Sequence, residues 1–127
     1  MPTLRALKAA LRTYALTLEG AKEDHPWGEN VTKVSGKVFV FFGVDDDTSN
    51  GVMGVKLARS LLYARSLPHV EPMGYGLGKS GWCTVKRPKA AIDVQLMKDW
   101  IAESYEIVAP KRSMRPRALS PRAAARG

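Results

Sequence analysis

The chain has 127 residues, 45% apolar and 25% charged, ordinary values for one globular domain, with a formal charge of +8. No apolar run approaches a membrane span, and Arg5, Lys8 and Arg12 interrupt the start, so neither membrane association nor a signal peptide is expected. A single cysteine, Cys83, excludes an internal disulfide and suits a reducing, cytoplasmic setting.

Leu4, Leu7, Leu11, Tyr14, Ala15 and Leu18 recur at helical spacing, and Gly20 can close that helix. The polar stretch from Ala21 to Gly28 reads as a loop, with Trp27 expected to cover the edge of a core. His25 follows Glu23 and Asp24, which makes His25 and Trp27 a candidate pocket. Acid–base chemistry there, with Glu71 as a further carboxylate, is the enzymatic alternative. No serine or cysteine nucleophile at a recognisable motif accompanies it, so no catalytic residue is assigned.

Asn30 to Ser35 alternates as a strand, and Ser35-Gly36-Lys37 turns into the apolar strand Val38–Phe42. The polar loop 45–51 begins like a calcium loop, but Leu57 stands where a bidentate glutamate is needed. No metal and no cofactor are therefore expected. Val52–Leu57 reads as a third strand, and Ala58–Leu67 as a helix ended by Pro68.

Val70–Tyr75 and Trp82–Arg87 form a second hairpin around Gly74-Tyr75-Gly76-Leu77-Gly78-Lys79-Ser80-Gly81-Trp82. Glycines this dense mark a backbone that bends sharply or lies close to something else. The tip is expected to carry Lys79 outward, with Tyr75 and Trp82 at its base. The stretch imitates phosphate-binding loops, but those aim a following helix at phosphate, and here a strand follows. Asp93 can cap a last helix, whose inner face is Val94, Met97, Ile101, Tyr105 and Val108, and Pro110 ends it.

The order helix, three strands, helix, two strands, helix gives a two-layer α+β domain with an antiparallel sheet over residues 1–112. Residues 113–127, rich in Arg, Pro and Ala, read as a basic flexible tail. Charge divides the same way. Residues 1–110 hold 14 Lys/Arg against 12 Asp/Glu, whereas 111–127 hold six bases, among them Arg112, Arg115 and Arg117, and no acid.

Side chains alternate across a strand, so Met53, Val55 and Leu57 toward the helices leave Lys56 on the other face. The same register gathers Lys33, Lys86 and Trp82 there. Such a face could contact phosphates and stack a base, or receive a protein partner. Cys83 points inward as a small core residue.

Several separated motifs carry a resemblance. They are Glu23-Asp24-His25-Pro26-Trp27-Gly28, then Lys33-Val34 with Gly36-Lys37-Val38-Phe39, then Val55-Lys56-Leu57. Gly74-Tyr75 through Trp82, Glu103-Ser104-Tyr105 and Ala109-Pro110-Lys111-Arg112 complete the set. Over roughly residues 4–112 the chain resembles the MmcQ/YjbR proteins, small bacterial domains usually labelled DNA-binding. The resemblance implies a helix-β3-helix-β2-helix fold, similar to type III secretion chaperones, and a double-wing surface in which two hairpins straddle DNA.

One branch of the family carries Gly-Tyr-His-Met-Asn-Lys-Lys-His-Trp where this chain has Gly74 to Trp82. Tyr75, Lys79 and Trp82 keep the pattern. Gly76, Gly78, Ser80 and Gly81 replace two histidines, an asparagine and a lysine, which removes polar groups able to read bases. The expectation is a non-enzymatic DNA-binding protein of low sequence specificity. Its phosphate contacts would come from Lys33, Lys37, Lys56, Lys79, Lys86, Arg112, Arg115 and Arg117, with Tyr75 and Trp82 as aromatics. The alternative is a protein-interaction module that binds a partner or forms a homodimer through the open sheet face.

Overall fold

The computed structural model describes residues 3–43, 51–89 and 91–110. Thr3 starts the first helix, α1 (Leu4–Leu16), its hydroxyl accepting the Ala6 amide at 3.0 Å. Leu4, Leu7, Leu11 and Ala15 bury one stripe of α1, as their spacing requires. The strands are β1 (Ala21–Asp24), β2 (Asn30–Val34), β3 (Lys37–Gly43) and β4 (Gly51–Lys56), then β5 (Val70–Pro72) and β6 (Trp82–Lys86). Helix α2 (Leu61–Arg65) links β4 to β5. Asp93 caps α3 (Val94–Val108) by accepting the Leu96 amide at 3.0 Å.

All pairs are antiparallel, in the spatial order β1-β2-β3-β4-β6-β5. The α+β class therefore holds, with one strand more than the sequence suggested. The added strand is β1, Ala21-Lys22-Glu23-Asp24, which has almost no apolar side chains to alternate. It is an edge strand held by backbone pairing to β2, and its charges protect that edge from further pairing.

Val40, Val55 and Cys83 stand side by side across three strands and face the helices. The ladder between β2 and β3 skips Phe39, a bulge that turns both Phe39 and Val40 toward the core. Phe39 then meets Tyr105 of α3 edge-on at 5.3 Å. The Ser104 hydroxyl donates to the Phe39 carbonyl at 2.6 Å and accepts the Lys56 amide at 2.9 Å, tying α3 to β3 and β4. Tyr105 donates to the Glu19 carbonyl at 2.5 Å, which fixes the end of α1.

Glu103 is 2% exposed and accepts the amides of Ala58 at 2.8 Å and Ser60 at 3.1 Å, holding the turn that leads into α2. Burial alone would raise its pKa. The Ser60 and Ala58 hydrogen bonds and nearby Arg59 outweigh that and hold the carboxyl below its usual range. No helix among the described residues is long and apolar enough to cross a membrane. The expected tail, residues 113–127, lies outside the described residues, as do Arg112 and loop residues 45–50.

Candidate functional site

The pairing register decides which side chains meet. On β4, Gly54 and Lys56 alternate with Met53 and Val55. On β6, Trp82, Thr84 and Lys86 alternate with Cys83 and Val85. Lys56 lies directly opposite Trp82, and Val31 opposite Phe41. Lys33, Lys56, Lys86 and Trp82 therefore share the face turned away from the core, against which none of the described helices packs.

That face is less cationic than its lysines suggest. Lys33 is bound to Asp24 at 2.8 Å, and Lys86 to Glu71 at 3.0 Å. The hydrogen bond from Lys33, with the His25 amide, keeps the Asp24 carboxyl below its usual range. A small apolar cluster fills the centre. Trp82, 9% exposed, stands edge-on to Phe41 at 5.1 Å, and the Met73 methyl lies where a side chain on Gly54 would go. Val31 is buried in this cluster, while Val38, Phe41 and Met73 are half-buried.

Three cations without a carboxylate partner among the described residues stand at one end of the sheet. Lys37 opens β3 just after the Ser35-Gly36 turn, Lys56 closes β4, and Lys79 stands in the loop that precedes β6. Because β4 runs against both β3 and β6, these positions and both hairpin turns project from the same end. None of the three has a carboxylate partner among the described residues. Lys37 and Lys79 are exposed, and Lys56 is half-buried beside Trp82.

The loop over 73–81 is built rather than slack. It contains a 3-10 turn, Leu77–Ser80, and closes on itself through the Gly78 amide to the Met73 carbonyl at 3.0 Å. Gly78 sits so close to Pro72 that a Cβ there would lie 2.8 Å from the Pro72 Cβ. Gly81, at φ 96°, touches β4's exit: a Cβ would overlap the Leu57 carbonyl, while the Leu57 amide donates to Gly81 at 2.9 Å. Arg65 of α2 donates to the Gly78 carbonyl at 2.6 Å. Cys83, beneath, is buried and its thiol pKa is raised by desolvation, against the pull of Arg65, so it is an inert core residue.

Tyr75 departs from expectation. Trp82 is at the base of the hairpin, but Tyr75 is at the tip, fully exposed at φ 60° between Gly74 and Gly76. The 3-10 turn shortens the loop and pushes the Gly-Tyr-Gly bend outward, which a simple hairpin would not do.

The second aromatic turn lies at the other end of the sheet. Trp27, 98% exposed at φ 51°, covers no core edge and lines no enclosed pocket. The three-residue turn Pro26–Gly28 places it beyond the strands. His25 is exposed as well; its Nδ1 meets the buried Asn30 Oδ1 at 2.7 Å, and its Nε2 is 3.8 Å from Glu23. Glu23 binds Arg12 of α1, and Glu71 lies on β5 at the opposite edge of the sheet. Glu23 and Asp24 thus stay near His25, each already paired with a base, while Glu71 is remote, so the four do not converge. No cluster of three or more His, Cys, Asp or Glu that could hold a metal occurs among the described residues.

The roles of Arg65, Glu103 and Ser104 escaped composition and periodicity, since each acts on backbone distant in sequence. A match to the YjbR family model covers residues 16–107. The chain belongs to the YjbR family. The matched span runs from the end of α1 through all six strands into α3, so it takes in both hairpin turns and the Glu103-Ser104-Tyr105 anchor. No curated protein matches the chain.

Proposed function

We propose that this YjbR-family chain is a non-enzymatic, cytoplasmic DNA-binding protein of low sequence specificity. It contacts phosphates from the end of the sheet where both hairpin turns project. One observation carries the reading: Lys37, Lys56 and Lys79 stand together there without carboxylate partners among the described residues, whereas Lys33 and Lys86 are neutralised. The tip residues Gly74 to Ser80 include no Arg, Asn or Gln, and only the single-point donors Lys79 and Ser80 could reach a base edge. Phosphate contact without base readout is what such a surface offers. The basic residues after Pro110, Arg112, Arg115 and Arg117 among them, add a charge-driven term.

The test is a salt titration of the full chain on duplex DNA. Log K falls linearly with log salt, with a slope of about −0.9 per phosphate neutralised. Lys79→Ala weakens all sequences alike and reduces the slope by about one. A version carrying Arg112, Arg115 and Arg117 as Gln keeps measurable affinity. If Lys79→Ala changes nothing while the arginine variant loses all binding, the folded domain is not the DNA-binding part.

A second reading draws on the half-buried strip of Val38, Phe41 and Met73, which would serve a protein partner or a second copy. Sedimentation at two protein concentrations separates it, since a salt-insensitive dimer belongs to that reading alone.

A further inference from the structure

Tyr75 makes an unusual combination. Its ring is fully exposed, and its backbone is in the left-handed region that bulky residues avoid. Gly74 and Gly76 flank it, so the bend could have been made by glycine alone. The ring packs on nothing and caps nothing, and so contributes no burial to the fold.

The loop beneath it is held from several sides. The Leu77 amide donates to Gly74, the Gly78 amide to Met73, the Lys79 amide to Gly76 and the Gly81 amide to Gly78. Arg65 grips the Gly78 carbonyl from α2, and Leu57 binds Gly81 from the end of β4. An aromatic ring is therefore presented on a prearranged support, with Lys79 four residues away and Lys56 at the base of the same loop. Rigid presentation lowers the ordering cost of binding.

We infer that Tyr75 is a stacking platform for an unpaired base, so that this end of the sheet takes single-stranded DNA in preference to duplex. The inference rests on the phosphate-contacting reading above and adds the strand class to it. In a duplex the base faces are covered by their neighbours, and a ring at a loop tip meets only backbone. In a single strand the faces are open, and ring stacking tolerates every base while the lysines follow the phosphates. That fits a tip with no Arg, Asn or Gln for base edges. Trp27 offers an equally exposed ring, but beside its turn lie Glu29 and an Asp24 already paired with Lys33, so it offers a polyanion no attraction.

The experiment is anisotropy titration of the full chain with labelled oligo-dT of about 20 nucleotides, oligo-rU of the same length, and a duplex of the same length. Tyr75→Ala, Tyr75→Phe and Trp27→Ala are compared, each checked for folding by near-ultraviolet circular dichroism. Oligo-dT binds more tightly than duplex. Tyr75→Ala weakens oligo-dT about tenfold, leaves duplex within about twofold and keeps the salt slope, because a stacking contact releases no counterion. Tyr75→Phe and Trp27→Ala bind as the parent does. Equal loss on both DNAs, or none on either, overturns the stacking role while leaving phosphate contact intact. Oligo-rU bound as tightly as oligo-dT overturns the assignment to DNA. A parent chain that binds no nucleic acid removes both proposals together.

Discussion

The two ends of the sheet carry the same unusual feature in opposite settings. At one end Trp27 and at the other Tyr75 is held fully exposed in a left-handed turn. Around Trp27 the nearby carboxylates are matched by bases, Asp24 with Lys33 and Glu23 with Arg12. Around Tyr75 the charges are cationic, and no described carboxylate pairs with Lys37, Lys56 or Lys79. An exposed ring alone thus says little about a ligand. The charge left unmatched beside it separates the two ends.

The comparison breaks most severely where the loop meets the sheet. Gly81→Ala forces a side chain into the Leu57 carbonyl at a positive φ, and should cost about 3 kcal/mol in denaturant unfolding. It should also loosen the Tyr75 end while leaving the Trp27 turn unchanged. A variant as stable as the parent would show that the loop is not seated as described.

Glu103→Ala comes next. It strands the Ala58 and Ser60 amides that support the exit of β4, at a cost of about 2 kcal/mol. The pH dependence follows from the direction of the shift. Because the folded pKa is depressed, the contribution is complete above the usual value of 4.5 and is lost as pH falls through the lower folded value. Glu103→Gln should therefore flatten the acid limb of a stability-against-pH curve, and an unchanged limb would remove the carboxylate from this role.

The smallest effect is expected at the other end. Trp27→Gly relieves the left-handed strain and exposes less ring, so stability should rise by no more than about 1 kcal/mol. DNA affinity should stay within about twofold, since the described bases near this turn, Arg12 and Lys33, are already paired. A large affinity loss would put the binding surface at the wrong end.

Much of this arrangement was legible in the chain. The leucine spacing of α1, the alternation through Lys56 and Lys86, and the cap at Asp93 depend on local patterns that physical periodicity imposes. Strand β1 was not legible, because an edge held by backbone pairing leaves no apolar signature in Ala21-Lys22-Glu23-Asp24. Missing it also hid the Lys33–Asp24 pair, which exists only because those strands adjoin. The Phe39 bulge and the 3-10 turn change where side chains point without changing composition. The dense glycines did signal close backbone approach, and Gly78 and Gly81 supply it. Which residue they approach, Pro72 or Leu57, is a tertiary fact.

The central claim is that unmatched cations, rather than all cations of the open face, make the binding surface. It is tested most directly by comparing two double variants of the full chain in a salt-dependent DNA titration, Lys56→Ala with Lys79→Ala and Lys33→Ala with Lys86→Ala. The first pair should lower the salt slope by about two and weaken binding strongly; the second should change it by less than half as much. Equal losses in the two variants, or a larger loss in the second, would contradict the account.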